Sequence, residues 1–498
     1  MILIGAGYAA LGEIVLWRFS SKLREWVESF LVGGAVAASL LFLLTLTFPP
    51  AALRILGGIL AACIVIAAAR RIAGRGRGTP RGQATASAPP RDAVTWLLFA
   101  LALFSAAAFL TANARTSLQW DGFQIWASRA QVLSHRGSLV PELPENDPIN
   151  GIFRYPALVP LTEALLAQLR GSFDFEAVKP VFLLFYLAMA IAAFEAARAV
   201  AGMRAAAGAT AVLLLLPLVS GGPAAGGYAD IPQAAFVAGA LSAFLAEEGP
   251  PGWRSPAAWV IGGLSTVKQE GTVLALLCLA AAGLSLLLSR RRDSSVQFVP
   301  RLSFFVPPAL FLGLRVAYLR WVSIADPVYG PLDGAHLLRA LARIPEVALH
   351  CGRALFDWSQ WGLLWAAFAA ALLVLALDRG GSPRARASAA VAAAALLADS
   401  AIFLFTNWEP AAHIGQAYPR LLSQLAPAAV VVVAAAYGRL GGAAAERPES
   451  RPRAGHAKSR TTVASAARDT APPAARPGGR YRNLTSAVPA GTCTARNA

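Results

Sequence analysis

Apolar runs, one after another, set the limits on this chain. Mostly apolar stretches occupy 2–17, 30–48, 52–69, 94–112, 177–197, 206–220, 230–247, 257–267, 271–289, 302–319, 361–378, 387–406 and 420–437. A spanning helix needs about 20 such residues. Inside a bilayer the backbone must satisfy its own hydrogen bonds, so only helices or closed barrels cross it. Runs this long and continuous select helices. The expected fold class is an all-α polytopic membrane protein with about 13 transmembrane helices. Composition agrees, with 14% charged residues where soluble domains carry roughly 25%. The stretch 257–289 reads as one long helix or as two with a turn at Val267–Gly271.

Charge orients the spans. The net charge is +17, and the arginines cluster between apolar runs: Arg70, Arg71, Arg75, Arg77, Arg81 and Arg91; then Arg290, Arg291 and Arg292; then Arg379, Arg384 and Arg386; then the tail from Arg439. The positive-inside rule puts all four clusters in the cytoplasm. Thirteen spans satisfy this with the N-terminus outside and the C-terminus inside, provided 257–289 is two spans. The expected location is the plasma (inner) membrane, multi-pass. Three units are expected: extra N-terminal spans and a basic cytoplasmic loop (1–93), a main body of spans (94–437), and a disordered basic cytoplasmic tail (438–498). The first segment lacks a basic start and a cleavage site and reads as a retained helix. No basic stripe interleaved with aromatics appears, so no nucleic-acid partner is expected. Cys63, Cys278, Cys351 and Cys493 are scattered and show no metal or disulfide spacing. The sequon Asn483-Leu484-Thr485 falls on the cytoplasmic side of this topology and is set aside.

Two sizeable outer segments result, 113–176 and 320–360. The second holds an amphipathic stretch, His336–Trp361, suited to the membrane interface. Pro345 breaks or kinks it, so two short helices compete with one. Polar residues also gather at the outer ends: Asp121 after the fourth span, Tyr228 and Asp230 before the seventh, Lys268 and Glu270 in the turn, and Asn407, Glu409, His413 and Arg420 around the last loop. Ionisable groups in such places are costly and usually functional. Plainer readings stand beside this one. Asp121 and Asp230 suit helix N-caps. Lys268 and Glu270 suit a structural ion pair, and Arg420 a headgroup anchor. His413 suits a structural histidine, and Tyr155-Pro156 a turn. Gly5-Ala6-Gly7 imitates a dinucleotide-binding glycine pattern but lacks the flanking strand, and close helix packing explains it better.

The segments Trp120-Asp121-Gly122-Phe123-Gln124-Ile125-Trp126, Arg154-Tyr155-Pro156, Gly227-Tyr228-Ala229-Asp230-Ile231-Pro232, Thr266-Val267-Lys268-Gln269-Glu270-Gly271 and Arg420-Leu421-Leu422 follow in order. This series resembles the bacterial GT-C glycosyltransferases, in the broad group of protein O-mannosyltransferases and lipid A aminoarabinose transferases. The resemblance covers about residues 94–437. It implies a GT-C-like core with a helical first outer loop, a polyprenyl-phosphate-linked sugar donor, and inverting transfer on the outer face to a glycan, lipid or protein acceptor. Asp121 matches the carboxylate that acts as general base. Mannosyltransferases often carry Asp-Glu there, whereas this chain has Asp-Gly, which bears on the acceptor.

The chemistry needs one base for the acceptor proton and positive charge for the leaving phosphate. Lys268 and Arg420 can supply that charge. Glu270, Asp230, Tyr155, Tyr228, Trp120 and His413 complete the expected donor and substrate contacts. Trp120, Trp126 and Tyr155 suit either sugar stacking or the interfacial aromatic belt. A departing polyprenyl phosphate requires no divalent metal, and no cofactor is expected. Two other functions compete. A transporter or flippase needs inverted repeats and broken helices near the midplane. An O-antigen-type polymerase or ligase places its large outer loop late in the chain. The transferase reading carries a spatial condition: Asp121, Lys268 and Arg420 must lie within about 20 Å of one another to serve one reacting centre.

Overall fold

The computed structural model describes residues 1–17, 22–75, 92–139, 153–247, 252–292, 302–323, 333–378 and 382–445. The expected tail lies outside the described residues from 446 onward, as do Arg77, Arg81, Arg91, Arg379, Cys493 and the 483–485 sequon. Every helical and helix-like element among the described residues follows the all-α expectation, and no strand occurs among them.

The expected spans map onto α1 (Ile2–Val15), α2 (Leu23–Thr47), α3 (Ala52–Arg75) and α4 (Ala93–Arg115) at the N-terminal side. The first outer segment folds as α5 (Ser128–Arg136), α6 (Leu158–Arg170) and the short α7 (Phe175–Val178). Next, α8 (Val181–Leu215) contains most of 177–197 and most of 206–220. It is interrupted at Gly202, where φ 80° and ψ −178° depart from helical geometry. A positive φ of this kind is open to glycine and strained for residues with a Cβ. Then come α9 (Pro217–Ser220), α10 (Asp230–Ala246), α11 (Pro256–Gly263), α12 (Glu270–Arg292) and α13 (Val306–Val322). The chain continues with α14 (Gly334–Leu355), α15 (Trp358–Trp361), α16 (Leu364–Leu377), α17 (Pro383–Ala401) and α18 (Pro410–Ala445). Seven described helical segments are long and apolar enough to cross a membrane, and four shorter apolar helices accompany them.

The two-helix reading of 257–289 holds. A 3-10 turn at Leu264–Thr266 and an irregular step at Val267–Gln269 separate α11 from α12. That step exists because Lys268 turns sideways into a buried ion pair and cannot remain on a lipid-facing helix.

Close packing accounts for the early glycines. A Cβ on Gly12 would lie 1.9 Å from the Ser29 carbonyl oxygen, and one on Gly33 would lie 1.7 Å from that of Tyr8. Thus α1 and α2 touch backbone to backbone, and a Cβ on Gly7 would lie 3.2 Å from the Leu60 Cβ of α3. The tyrosine hydroxyl of Tyr8 is shared with Thr162 of α6 at 3.1 Å. This fastens the N-terminal helices to the outer segment.

The amphipathic stretch is not divided at Pro345 but after Leu355. α14 runs through Pro345 without interruption and stops at Leu355, so the expected continuation to Trp361 is instead the separate α15. Pro345 is exposed, and its missing N–H removes only one ladder bond. Ala340, Val347 and Cys351 are buried against the bundle, whereas Leu337, Leu338, Leu341, Ile344 and Leu349 are exposed. Arg339, Glu346 and Arg353 occupy a third, polar side. A helix with separate core, apolar and polar sides suits the plane of an interface.

Candidate active site

Asp230 is the first residue of α10 and is only 2% exposed. A buried carboxylate needs partners, and three side chains converge on it. Lys268 Nζ lies 2.8 Å from Oδ1, Gln424 Nε2 donates to Oδ1 at 2.8 Å, and Arg420 Nε donates to Oδ2 at 3.0 Å. The same guanidinium reaches outward, with Arg420 Nη2 2.5 Å from Asp121 Oδ2. It also lies 4.2 Å above the Tyr228 ring, a favourable cation–π distance. Lys268 in turn lies 3.5 Å from Glu270 Oε1. Asp121, Arg420, Asp230, Lys268 and Glu270 therefore form one unbroken chain of charges, well inside the spatial condition of about 20 Å.

These contacts displace the plainer readings of the two aspartates. Asp121 makes no side-chain capping bond, and the N-cap of α10 is Ala229. A guanidinium and an ammonium outbid backbone N–H groups for a carboxylate, because charge-assisted bonds are roughly twice as strong. Lys268 does pair with Glu270, but Asp230 is nearer. Burial alone would lower the Lys268 pKa. The carboxylates of Asp230 and Glu270 outweigh it and hold the ammonium above its ordinary value, so the charge persists. Among the described residues, no group of three or more His, Cys, Asp and Glu is arranged to hold a metal ion.

The stretch after Asp121 begins as a π-helix over Gly122–Ala127 and becomes α5 at Ser128. Such wide turns occur frequently at functional sites. Here Trp126 is buried and meets the Tyr155 ring edge-on at 5.5 Å, while Trp120 is 73% exposed. Gly122 fits because the 226–227 loop presses against it: a Cβ would sit 2.2 Å from the Gly226 carbonyl oxygen. Gly122→Ala is expected to displace Asp121 from Arg420 and to cost about 1–3 kcal/mol, the usual range for overpacking. A melting curve of the purified variant in detergent checks this, and an unchanged midpoint would refute the close approach.

Of the remaining expected residues, Tyr155 and Tyr228 lie beside the cluster. His413 sits two turns before Arg420, its Nδ1 2.7 Å from Thr406 Oγ1 and its ring packed between Phe403 and Trp408. Several participants escaped sequence reasoning. Gln424 stands one turn beyond Arg420, so i, i+4 spacing from that arginine was the available signal. Gln269 takes a bond from Arg154 Nη2 at 3.2 Å. Asp399, buried on α17, interacts electrostatically with Glu270 and Lys268.

An apolar cavity of about 250 Å³ lies among α10, α11, α12, α17 and α18, lined by Leu241, Phe244, Leu264, Cys278 and Leu425 among others. Leu264 is four residues from Lys268. Arg384 and Glu247 stand at the far end of the lining, with Arg384 donating to the Glu247 carbonyl.

No family model matches the sequence, and no curated protein matches it. Among solved structures, the chain is similar to the crystal structure of ArnT from Cupriavidus metallidurans bound to undecaprenyl phosphate, at 18% identity and a TM-score of 0.44. The match covers 71% of this chain and 64% of that one, so it spans just under two thirds of the ArnT chain.

Proposed function

We propose that this protein is an integral-membrane glycosyltransferase. It moves a sugar from a polyprenyl-phosphate donor to an acceptor hydroxyl at the outer face of the plasma membrane, with inversion. One observation carries the reading: a single guanidinium, Arg420, is shared between the partly exposed Asp121 and the buried Asp230, with Lys268 fixed behind it. A proton acceptor and two cations thus converge on one small site.

In the proposed step, Asp121 takes the proton of the acceptor hydroxyl. The acceptor oxygen attacks the anomeric carbon from the face opposite the phosphate. The bond from that carbon to the phosphate oxygen breaks, and polyprenyl phosphate leaves with the electron pair. Arg420 and Lys268 receive the added negative charge. Arg suits bidentate phosphate contact, and Lys acts as a point charge. The resting ion pair has a kinetic meaning. While Arg420 Nη2 holds Asp121 Oδ2, that oxygen is engaged and is not open to an acceptor hydroxyl. A donor phosphate competes for the guanidinium and frees Asp121, so donor binding precedes acceptor activation. The isoprene units nearest the phosphate would enter the apolar cavity that begins near Leu264.

On the positive-inside rule, this reading has the opposite end of the bundle and the C-terminus facing the cytoplasm. In this reading residues 94–437 form the transferase core, 1–93 an N-terminal addition, and the chain beyond α18 a cytoplasmic tail. A transporter reading finds less support. The ion pairs sit at helix ends, and the interruption of α8 at Gly202 lies beside Ala201–Gly438 contacts, away from the cluster. To test the reading, membranes containing the protein receive a polyprenyl-phosphate-linked sugar. Acceptor-dependent release of polyprenyl phosphate is expected, and its absence from protein-loaded membranes across several donor sugars would reject the proposal.

A further inference from the structure

Behind the cluster, four consecutive backbone carbonyls in the loop entering α6 are each claimed by a buried side chain. The Tyr318 hydroxyl donates to the Phe153 carbonyl. Arg315 Nη2 donates to the Arg154 carbonyl at 2.6 Å. Arg129 Nη1 donates to the Tyr155 carbonyl and, at 3.0 Å, to that of Pro156. Arg129 Nη2 also donates to the Tyr318 hydroxyl oxygen at 2.5 Å, so the phenol accepts from one side and donates to the other. Arg129 comes from α5, and Arg315 and Tyr318 come from successive turns of α13.

This arrangement is expensive. Arg129 is 1% exposed and Arg315 is 7% exposed. Arg129 Nε and Arg315 Nε and Nη1 make no hydrogen bond, and the hydrogen-bond partners of both guanidiniums are carbonyls and a phenol, with no carboxylate. Burying a charge without a counter-charge costs several kcal/mol even after relaxation. Neutral residues would close an ordinary turn at less cost. Departures from such rules concentrate at functional sites.

The other side of the same four residues faces the charged cluster. Arg154 donates to Gln269, which stands between Lys268 and Glu270. The Tyr155 ring leans on Trp126, and its phenol is within electrostatic reach of Glu270, Lys268 and Asp121. We propose that Arg129, Arg315 and Tyr318 are positioning residues that lock the 153–156 loop, so that Arg154 and Tyr155 hold the phosphate-sugar head of the donor in register with Asp121. The proposal rests on the transferase reading for its ligand and on geometry alone for the lock. Fixed backbone carbonyls leave the loop one conformation, and displacement by about 1 Å can lower a rate 10²-fold.

The experiment has two arms on the full chain in detergent. Amide hydrogen exchange over 153–161 reads the lock directly. Faster exchange is expected in Tyr318→Phe and Arg315→Met, and unchanged exchange would overturn the proposal. Titration with undecaprenyl phosphate, followed by tryptophan fluorescence, reads the consequence. Each substitution is expected to weaken binding about tenfold, yet by less than about twofold in a Tyr155→Ala background, because effects that act through one residue are not additive. Arg129→Lys, which keeps a donor, is expected to recover part of the loss seen in Arg129→Met. Additive losses in the Tyr155→Ala background would show mere structural damage and overturn the proposal. If the wild-type protein fails to bind undecaprenyl phosphate, the transferase reading fails instead, and the exchange arm still decides the lock.

Discussion

Asp121→Asn is expected to reduce sugar transfer about 10²- to 10⁴-fold, the usual contribution of a positioned general base. The substitution keeps the shape of the side chain and removes its capacity to take a proton. The fold should tolerate it. Asp121 and Arg420 are each 19% exposed at the side chain, and Arg420 keeps its bond to Asp230. A partly exposed ion pair contributes at most about 1 kcal/mol. Donor affinity should not fall, because Arg420 is then no longer held by Asp121. Initial rates against donor concentration separate these effects: a collapsed kcat with an unchanged or lower KM is expected. Retention of full kcat would remove Asp121 from the mechanism.

Asp230→Ala is expected to act on the protein instead of the chemical step. It leaves Lys268, 5% exposed at its side chain, with only the more distant Glu270, and it removes the acceptor shared by Arg420 Nε and Gln424 Nε2. Taking one partner from a buried pair costs about 3–5 kcal/mol, against a total stability of about 5–15 kcal/mol for a typical domain. A large fall in the detergent melting midpoint and a poor yield of folded protein are expected. The cause can be isolated. Lys268→Met in the Asp230→Ala background removes the stranded charge and should restore part of the midpoint. If the double variant melts lower still, Asp230 is not there to balance Lys268.

The chain's helices were legible because each run of about 20 apolar residues is a statement about the bilayer, independent of what packs beside it. The break between α11 and α12 was legible through the charge that a single span would have misplaced. The polar residues at helix ends were legible for the same reason: Asp230 and Lys268 are too costly to leave in an apolar helix without a purpose. What each would touch was not. Asp121 and Arg420 stand far apart in sequence, and no local periodicity records that one guanidinium serves two carboxylates. The π-helical turn after Asp121 was hidden because its residues suit an ordinary helix equally well. The carbonyl lock was hidden because Arg315 sits in a run that reads simply as a span, and nothing local marks Tyr318 as the hydroxyl that Arg129 reaches.

The meeting of Gly122 with the 226–227 loop bears on how relatives of this chain can vary. The carbonyl of Gly226 that a Cβ on residue 122 would strike also accepts from the Gln119 amide at 3.0 Å. Gly227, at φ +85°, has Leu118 within 2.4 Å of where its own Cβ would be. The two segments are therefore a matched pair. A side chain introduced at residue 122 alone would meet the Gly226 carbonyl, so that single change is expected to push the two segments apart. Residues 118–122 and 226–227 have to be inherited, or transplanted, together.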